Sequence, residues 1–157
     1  MPKLIYELLN GNVAYPRYAH DSDACFDLCL PLFSSELDAP VTEQHDDYRL
    51  YIPAGAMRTI DLAVAFHIPE GYHIKLYVRS SVGKQGISLA NGTGIIDQDF
   101  RLGVKVMLQN NSPNTVGFLA GMRVVQGELC KNQQATLEPG KVAQDTVRTG
   151  GIGSTGV

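Results

Sequence analysis

Charged residues are scarce in this sequence of 157 residues, at 18% against a usual share of about a quarter. Low charge often means that surface is hidden in an oligomer, so the composition favours self-association. The net charge of −3 gives no general electrostatic case for nucleic-acid binding. A polyanionic substrate would therefore need locally placed arginine, lysine or metal. No apolar run is long enough to span a membrane.

Cysteine is also rare, and its spacing argues against two kinds of stabilising site. The three cysteines, Cys25, Cys29 and Cys130, are odd in number, and the C-x3-C pair has no matching second pair. A disulfide framework or a zinc site is therefore not expected. Buried reduced cysteines and a reducing, cytoplasmic compartment are predicted instead.

Helical periodicity is nearly absent, and alternating strands take its place. Five runs alternate apolar and polar residues between turn residues: 48–52, 58–66, 72–78, 103–108 and 115–119. Such alternation is typical of half-buried strands. Tight turns are predicted at residues 53–55 (PAG) and 69–71 (PEG). The sequence therefore predicts an all-β sandwich or barrel.

Three segments depart from the strand pattern. One short helical turn is predicted to begin at Ser80 or Ser81, whose hydroxyls suit an N-cap. Residues 34–47 are polar and acidic, which predicts a surface loop. Residues 143–157 lose the apolar pattern and end rich in glycine, which predicts a flexible arm after a domain of residues 1–142.

Five further segments carry chemistry: 23–28 (DACFDL), 78–83 (VRSSVG), 91–101 (NGTGIIDQDFR), 121–126 (GMRVVQ) and 148–156 (RTGGIGSTG). In this order and spacing they resemble the five motifs of the trimeric dUTPase family. The resemblance covers nearly the whole chain. It implies a distorted jelly-roll, or β-clip, barrel and the hydrolysis of dUTP to dUMP and pyrophosphate.

The first two segments are assigned by the resemblance to the phosphates. Asp27 contacts Mg²⁺ through water, since Mg²⁺ keeps several waters and is held largely by substrate phosphates. Ser80 contacts the bridging oxygen between the α- and β-phosphates, and the phosphate site includes Arg79, Ser81 and Gly83. In isolation, Asp27 is better interpreted as a strand-end residue that caps a turn. The second segment could equally be an ordinary helix cap with a surface arginine.

The third segment resembles a hairpin that reads uracil. The resemblance places uracil on the main chain of Gly94, Ile95 and Ile96, with a water held by Asn91. Fixed donors and acceptors discriminate against cytosine, because its N4 amino group would leave buried groups unpaired. Phe100 replaces the family's tyrosine and still packs under the deoxyribose.

The same segment supplies the general base. The resemblance assigns Asp97 to activating the water that attacks the α-phosphorus in line, while Mg²⁺-pyrophosphate leaves. A solvated turn is the alternative for Asp97 and Asp99. Leu102-Gly103 stands where the family has Gly-Glu, so the exit from the segment differs.

The fourth and fifth segments complete the assigned site. Gln126 contacts the α-phosphate, a catalytic role, and Arg123 supports an Asp or a phosphate nearby. A strand-edge glutamine is the alternative for Gln126. The fifth segment closes over the nucleotide through Arg148, Ile152, Gly153 and Ser154. Here Ile152 replaces a stacking phenylalanine, and Arg148 lies one residue closer to it than in the family pattern.

The resemblance also implies a homotrimer with shared sites. Segments one, two and four come from one subunit, the third from a second and the fifth from a third. One rival is a dCTP deaminase, but Met107 stands where that family has a catalytic glutamate. Another rival is a dUTPase-fold regulatory protein that binds a protein partner and turns over little.

Overall fold

Short antiparallel strands and one helical turn make up the regular structure of this protein, for which a computed structural model describes residues 1–11, 13–31, 49–147 and 150. The strands in these ranges are β1 (Ile5–Leu8), β2 (Phe26–Cys29), β3 (Arg49–Ile52), β4 (Met57–Asp61), β5 (Val64–His67), β6 (Tyr72–Val78), β7 (Ile87–Leu89), β8 (Gly94–Ile96), β9 (Lys105–Asn110), β10 (Val116–Leu119) and β11 (Arg123–Lys131). The helical turn is α1 (Ser80–Gly83). The predicted all-β class is confirmed.

The strands form four antiparallel sheets around one core. The largest sheet has the order β2-β11-β6-β8, and a second has the order β4-β9-β7. The pairs β1-β5 and β10-β3 complete the described set. Every sheet contributes side chains that are almost fully buried in one cluster, such as Leu28, Ile60, Phe66 and Phe118.

The prediction of one continuous strand over residues 58–66 is wrong in its middle. The chain breaks between β4 and β5, where Ala63 takes a left-handed φ of 50°. The Asp61 side chain accepts a hydrogen bond from the Ala63 N–H at 2.8 Å and stabilises the bend. The chain thereby leaves β9, the partner of β4, and pairs with β1 instead. Alternation alone does not show such a change of sheet.

The two predicted turns are confirmed, and other boundaries shift. The Ala56 N–H donates to the Pro53 carbonyl at 3.0 Å, and the Tyr72 N–H donates to the Pro69 carbonyl at 3.2 Å. Strand β9 begins at Lys105, two residues later than predicted. The predicted loop at 34–47 lies outside the described residues. Residues 132–147 contain no helix or strand, and no helix in the described ranges is long and apolar enough to cross a membrane.

A close contact between two strands requires glycine in β11. Phe26 of β2 is 3% exposed and packs against the Phe66 ring at 5.7 Å and the Tyr18 ring at 5.9 Å. A Cβ added at Gly127 would lie 2.6 Å from Phe26 Cζ. Because the phenylalanine is held on both sides, it cannot yield without disturbing the core.

Gly127→Ala is therefore expected to destabilise the protein by about 1–3 kcal/mol, the usual cost of overpacking a core. Chemical denaturation of both proteins measures the difference. Gly140→Ala is the matched control, because a Cβ there meets nothing within 4 Å. Equal stability of the Gly127→Ala variant and the wild type would contradict the packing argument.

Candidate active site

A buried carboxylate, Asp27, lies at the centre of a cluster of ionic side chains. It occupies β2, a strand that is buried at all four positions, and its side chain is 7% exposed. Arg79 Nε lies 2.8 Å from Asp27 Oδ1, and Arg123 Nη1 lies 2.9 Å from Asp27 Oδ2. The first, second and fourth segments of the sequence therefore meet at one carboxylate.

Strand register brings Gln126 to the same place. Gln126 of β11 is paired with Asp27 of β2 on one side and with Tyr77 of β6 on the other. Directly opposite residues of an antiparallel pair project from the same face of the sheet. The carboxamide of Gln126 thus shares a face with the Asp27 carboxylate. The Arg79 N–H donates to the Val124 carbonyl at 3.1 Å and joins the end of β6 to this strand.

Helix α1 follows Arg79 directly, but its cap differs from the prediction. Arg79 itself is the N-cap, with an extended backbone, and it makes no side-chain cap hydrogen bond within the described residues. The prediction that a Ser80 or Ser81 hydroxyl caps the helix is therefore wrong. Both serines and Gly83 are exposed. The two hydroxyls consequently face solvent beside Arg79, where a ligand can reach them.

The third segment is not the predicted hairpin. Within the described residues β8 pairs with β6, whereas β9 pairs with β4 and β7. The strands on either side of the acidic turn therefore belong to different sheets. The turn itself is closed by a hydrogen bond from the Phe100 N–H to the Asp97 carbonyl at 3.1 Å. Asp97 is exposed, and Phe100 is 36% exposed.

A small slot opens where β8 and β9 diverge. Its volume is about 70 Å³, and its walls are formed by Leu76, Leu89, Asn91, Gly94–Ile96 and Lys105–Met107. A Cβ added at Gly94 would lie 3.0 Å from Leu76 Cβ on the neighbouring strand, so a side chain here would crowd β6. This slot therefore contains Asn91 and all three residues assigned to the uracil edge.

The slot and the Asp27 cluster are far apart within one chain. Strands β2 and β8 are the two edges of the four-stranded sheet, three strand spacings or about 14 Å apart. Asp97 continues β8 past the pair Ile96–Ile74, whereas Arg79 lies beyond the other end of β6. Asp27 is level with Tyr77 of β6 through Gln126, four residues from the level of Asp97, which adds about 14 Å along the strands. A single copy of the chain cannot bring Asp97 to the Asp27 cluster.

Almost all of the fifth segment lies outside the residues that the structure describes. Arg148, Ile152, Gly153 and Ser154 lie outside the described residues, so their assigned roles stay predictions. The division at residue 142 also stays a prediction. The three cysteines are free thiols, as expected, but only Cys29 is buried, whereas Cys25 and Cys130 are half-buried.

Arg17 is a site neighbour that the sequence does not reveal. The Asp27 N–H donates to the Arg17 carbonyl at 2.8 Å, and the Arg17 N–H donates back to the Asp27 carbonyl at 3.4 Å. This isolated bridge lies outside the named strands. Arg17 stands in an irregular segment, where no periodicity could signal its position.

Comparison with known sequences identifies the family. Residues 46–156 match the sequence profile of the dUTPase family. The deoxyuridine 5'-triphosphate nucleotidohydrolase of Rickettsia massiliae is 32% identical over 155 residues, which cover 98% of this chain and 95% of the relative. The Rickettsia bellii protein of the same name is 32% identical over 144 residues, covering 90% and 87%. This chain belongs to the dUTPase family, and the resemblance noted in the sequence is confirmed.

Solved structures of dUTPases share the fold. The Staphylococcus bacteriophage 80alpha dUTPase with dUpNHpp superposes with a TM-score of 0.78 at 19% identity and covers 99% of each chain. Native EIAV dUTPase gives 0.68 at 21% identity, covering 92% of this chain and all of its own. A mutant dUTPase from phage phi11 of S. aureus, studied for its structural Mg(II) ion, gives 0.71 at 18% identity, covering 89% and 97%. The predicted dUTPase-like jelly roll is confirmed.

Proposed function

We propose that this protein hydrolyses dUTP to dUMP and pyrophosphate at a site built around Asp27. The observation that carries the proposal is the pair of guanidinium groups held on one buried carboxylate, with Gln126 on the same sheet face. A guanidinium group has five donors, so each arginine retains donors for phosphate oxygens after binding Asp27. A triphosphate is the polyanion that such a cluster suits.

The Asp27 cluster suits a Mg²⁺ ion that arrives with the nucleotide. No group of three or more His, Cys, Asp or Glu side chains in the described ranges could hold a metal directly. Each Asp27 oxygen accepts one guanidinium contact and has a further lone pair for a water on the ion. Magnesium normally keeps several waters and binds phosphate oxygens. When bound, it neutralises charge on the departing pyrophosphate.

The slot between β8 and β9 is the proposed uracil site. The outer edge of β8 is not paired with another strand among the described residues, so main-chain donors and acceptors are free to read a pyrimidine edge. Asn91 lines the slot and is placed to hold a water there. Phe100, exposed just after the acidic turn, is placed to pack under the deoxyribose.

The proposed reaction needs one base and one stabilised leaving group. Asp97 takes a proton from the attacking water, whose oxygen bonds to the α-phosphorus in line with the departing group. The bond from the α-phosphorus to the bridging oxygen breaks, and its electrons leave with pyrophosphate. Ser80 donates to that bridging oxygen, and Gln126 donates to the α-phosphate. Arg79, Ser81, Gly83 and Arg123 hold the remaining phosphate oxygens.

The distance between Asp97 and the Asp27 cluster within one chain supports a site that is shared between copies of the protein. Because Asp97 cannot reach the Asp27 cluster of its own chain, the base must come from a second copy. We therefore propose a homotrimer in which the third segment enters from a neighbour. The fifth segment, with Arg148, Ile152, Gly153 and Ser154, would close the site from the third copy. The free cysteines fit a reducing compartment, and we place the activity in the cytoplasm.

The first test is a comparison of nucleotides. Wild-type protein is expected to release pyrophosphate from dUTP far faster than from dCTP, dTTP or UTP. Ammonia release from dCTP would instead favour the deaminase alternative, against which Met107 in the slot wall argues. Tight binding of dUTP without release of pyrophosphate would favour the regulatory alternative.

Asp97→Asn tests the base. The amide keeps the shape but cannot accept a proton, so turnover of dUTP is expected to fall about 10²–10⁴-fold. Calorimetric titration with dUpNHpp should give an affinity within a few-fold of the wild type. Glu70→Gln is the matched control. Glu70 is an exposed carboxylate near the same segment, because the N–H of the next residue, Gly71, donates to the Gln98 side chain. Normal turnover by Asp97→Asn would remove this residue from the mechanism.

Mixing two inactive variants tests the shared site. Asp97→Asn and Gln126→Ala chains, unfolded and refolded together, should recover activity that neither shows alone. With random assembly, about a quarter of the sites combine an intact base with an intact phosphate cluster. Sedimentation equilibrium should show a trimer. An inactive mixture of well-folded trimers, or an active monomer, would contradict the proposal.

A further inference from the structure

A cavity of about 320 Å³ adjoins the Asp27 cluster and is lined by Ala14, Tyr15, Arg17, Cys29, Gly121 and Arg123. Cys29 follows Asp27 by two residues in β2, so both side chains project from the same face of the sheet. Cys29 is also paired with Arg123 of β11. The cavity therefore continues the face that carries Asp27 and Gln126, about 7 Å further along the strand.

The walls of this cavity carry unbalanced positive charge. The main chain of Arg17 is held against β2 by its two hydrogen bonds with Asp27. The Arg17 side chain makes no ion pair with any residue that the structure describes. Arg123 uses Nη1 on Asp27 and has other donors left. Arg79 and Arg123 contact the single carboxylate Asp27, and Arg17 adds a further guanidinium group to the cavity wall.

Two other titratable groups line the cavity, the Tyr15 phenol and the Cys29 thiol, and the lining includes no carboxylate among the described residues. Burial raises the pKa of Cys29, and the Asp27 carboxylate raises it further, while the nearby arginines oppose the shift. The thiol is consequently neutral at physiological pH. It leaves the positive charge of the arginines available to a ligand.

We propose that this cavity is a phosphate-binding pocket in which Arg17 and Arg123 bind the terminal phosphate of the nucleotide or inorganic pyrophosphate. The inference rests on the proposed function, in which the α-phosphate meets Gln126. From there a triphosphate that extends along β2 passes Asp27 and reaches the pocket by Cys29. The planar guanidinium of arginine pairs with two phosphate oxygens at once, and lysine cannot.

Calorimetric titration of Arg17→Gln with three probes tests the proposal. Inorganic pyrophosphate and dUpNHpp are expected to bind about tenfold more weakly than to the wild type, the effect of losing one charge-assisted contact. Binding of dUMP should not change, because dUMP has no β- or γ-phosphate. Arg17→Lys keeps the charge without the paired donors, so its loss should be smaller.

Lys131→Gln is the matched control. It removes one exposed cation from the far end of β11, eight residues from Arg123 and about 27 Å away. Its affinity for all three probes should equal that of the wild type, and thermal unfolding should show that every variant is folded.

The pattern of losses identifies the source of the phosphate. Weaker binding of both pyrophosphate and dUpNHpp places the terminal phosphate of the nucleotide in the pocket. Weaker binding of pyrophosphate alone assigns the pocket to the released product. Unchanged affinity of folded Arg17→Gln for both probes would overturn the proposal. If Arg17→Gln weakens pyrophosphate binding but the wild-type protein does not hydrolyse dUTP, the phosphate pocket is supported and the proposed function is contradicted.

Discussion

The contact on which the site depends is the pairing of the Asp27 carboxylate with two guanidinium groups. A carboxylate in a strand that is buried throughout loses its hydration, and this loss is costly unless cations replace the water. Arg123 is 96 residues away in the chain, so the pairing links distant parts of the sequence. It also arranges the arginines before any ligand arrives. Their unused donors are then available to phosphate oxygens without further rearrangement.

The topology of the large sheet determines how such a cluster could become catalytic. The main-chain edge suited to a pyrimidine lies on β8, and the ionic cluster lies between β2 and β11. Within one copy, β6 lies between β11 and β8, and the two sites lie at opposite ends of these strands. An edge strand with unpaired main-chain groups is also a surface on which another chain or a ligand can bind. In the proposed trimer this edge reads uracil, while a neighbouring copy supplies the Asp27 cluster.

The sequence predicts much of the fold because alternation of apolar and polar residues indicates strands that are buried on one face. The pattern over residues 72–78 became β6 as predicted, and both turns formed where proline precedes glycine by two residues. The break at Ala63 was missed because a left-handed alanine held by the Asp61 side chain leaves no mark on the apolar pattern. The hairpin was wrong because neighbours in sequence need not pair when each finds another sheet. Arg17 could not be predicted for a different reason, because only folding of the chain places it beside Asp27.

The neutral side chains near the cluster matter as much as the charged ones. Cys29 occupies a position where an aspartate would pair with Arg123 and compete with any anion. A thiol fills the same small volume, and burial keeps it protonated. Among the described residues, Asp27 is the one carboxylate that Arg79 and Arg123 contact, and it holds them in place without using all their donors. A second internal carboxylate would stabilise the empty protein further and would weaken its attraction for phosphate by the same electrostatic interaction.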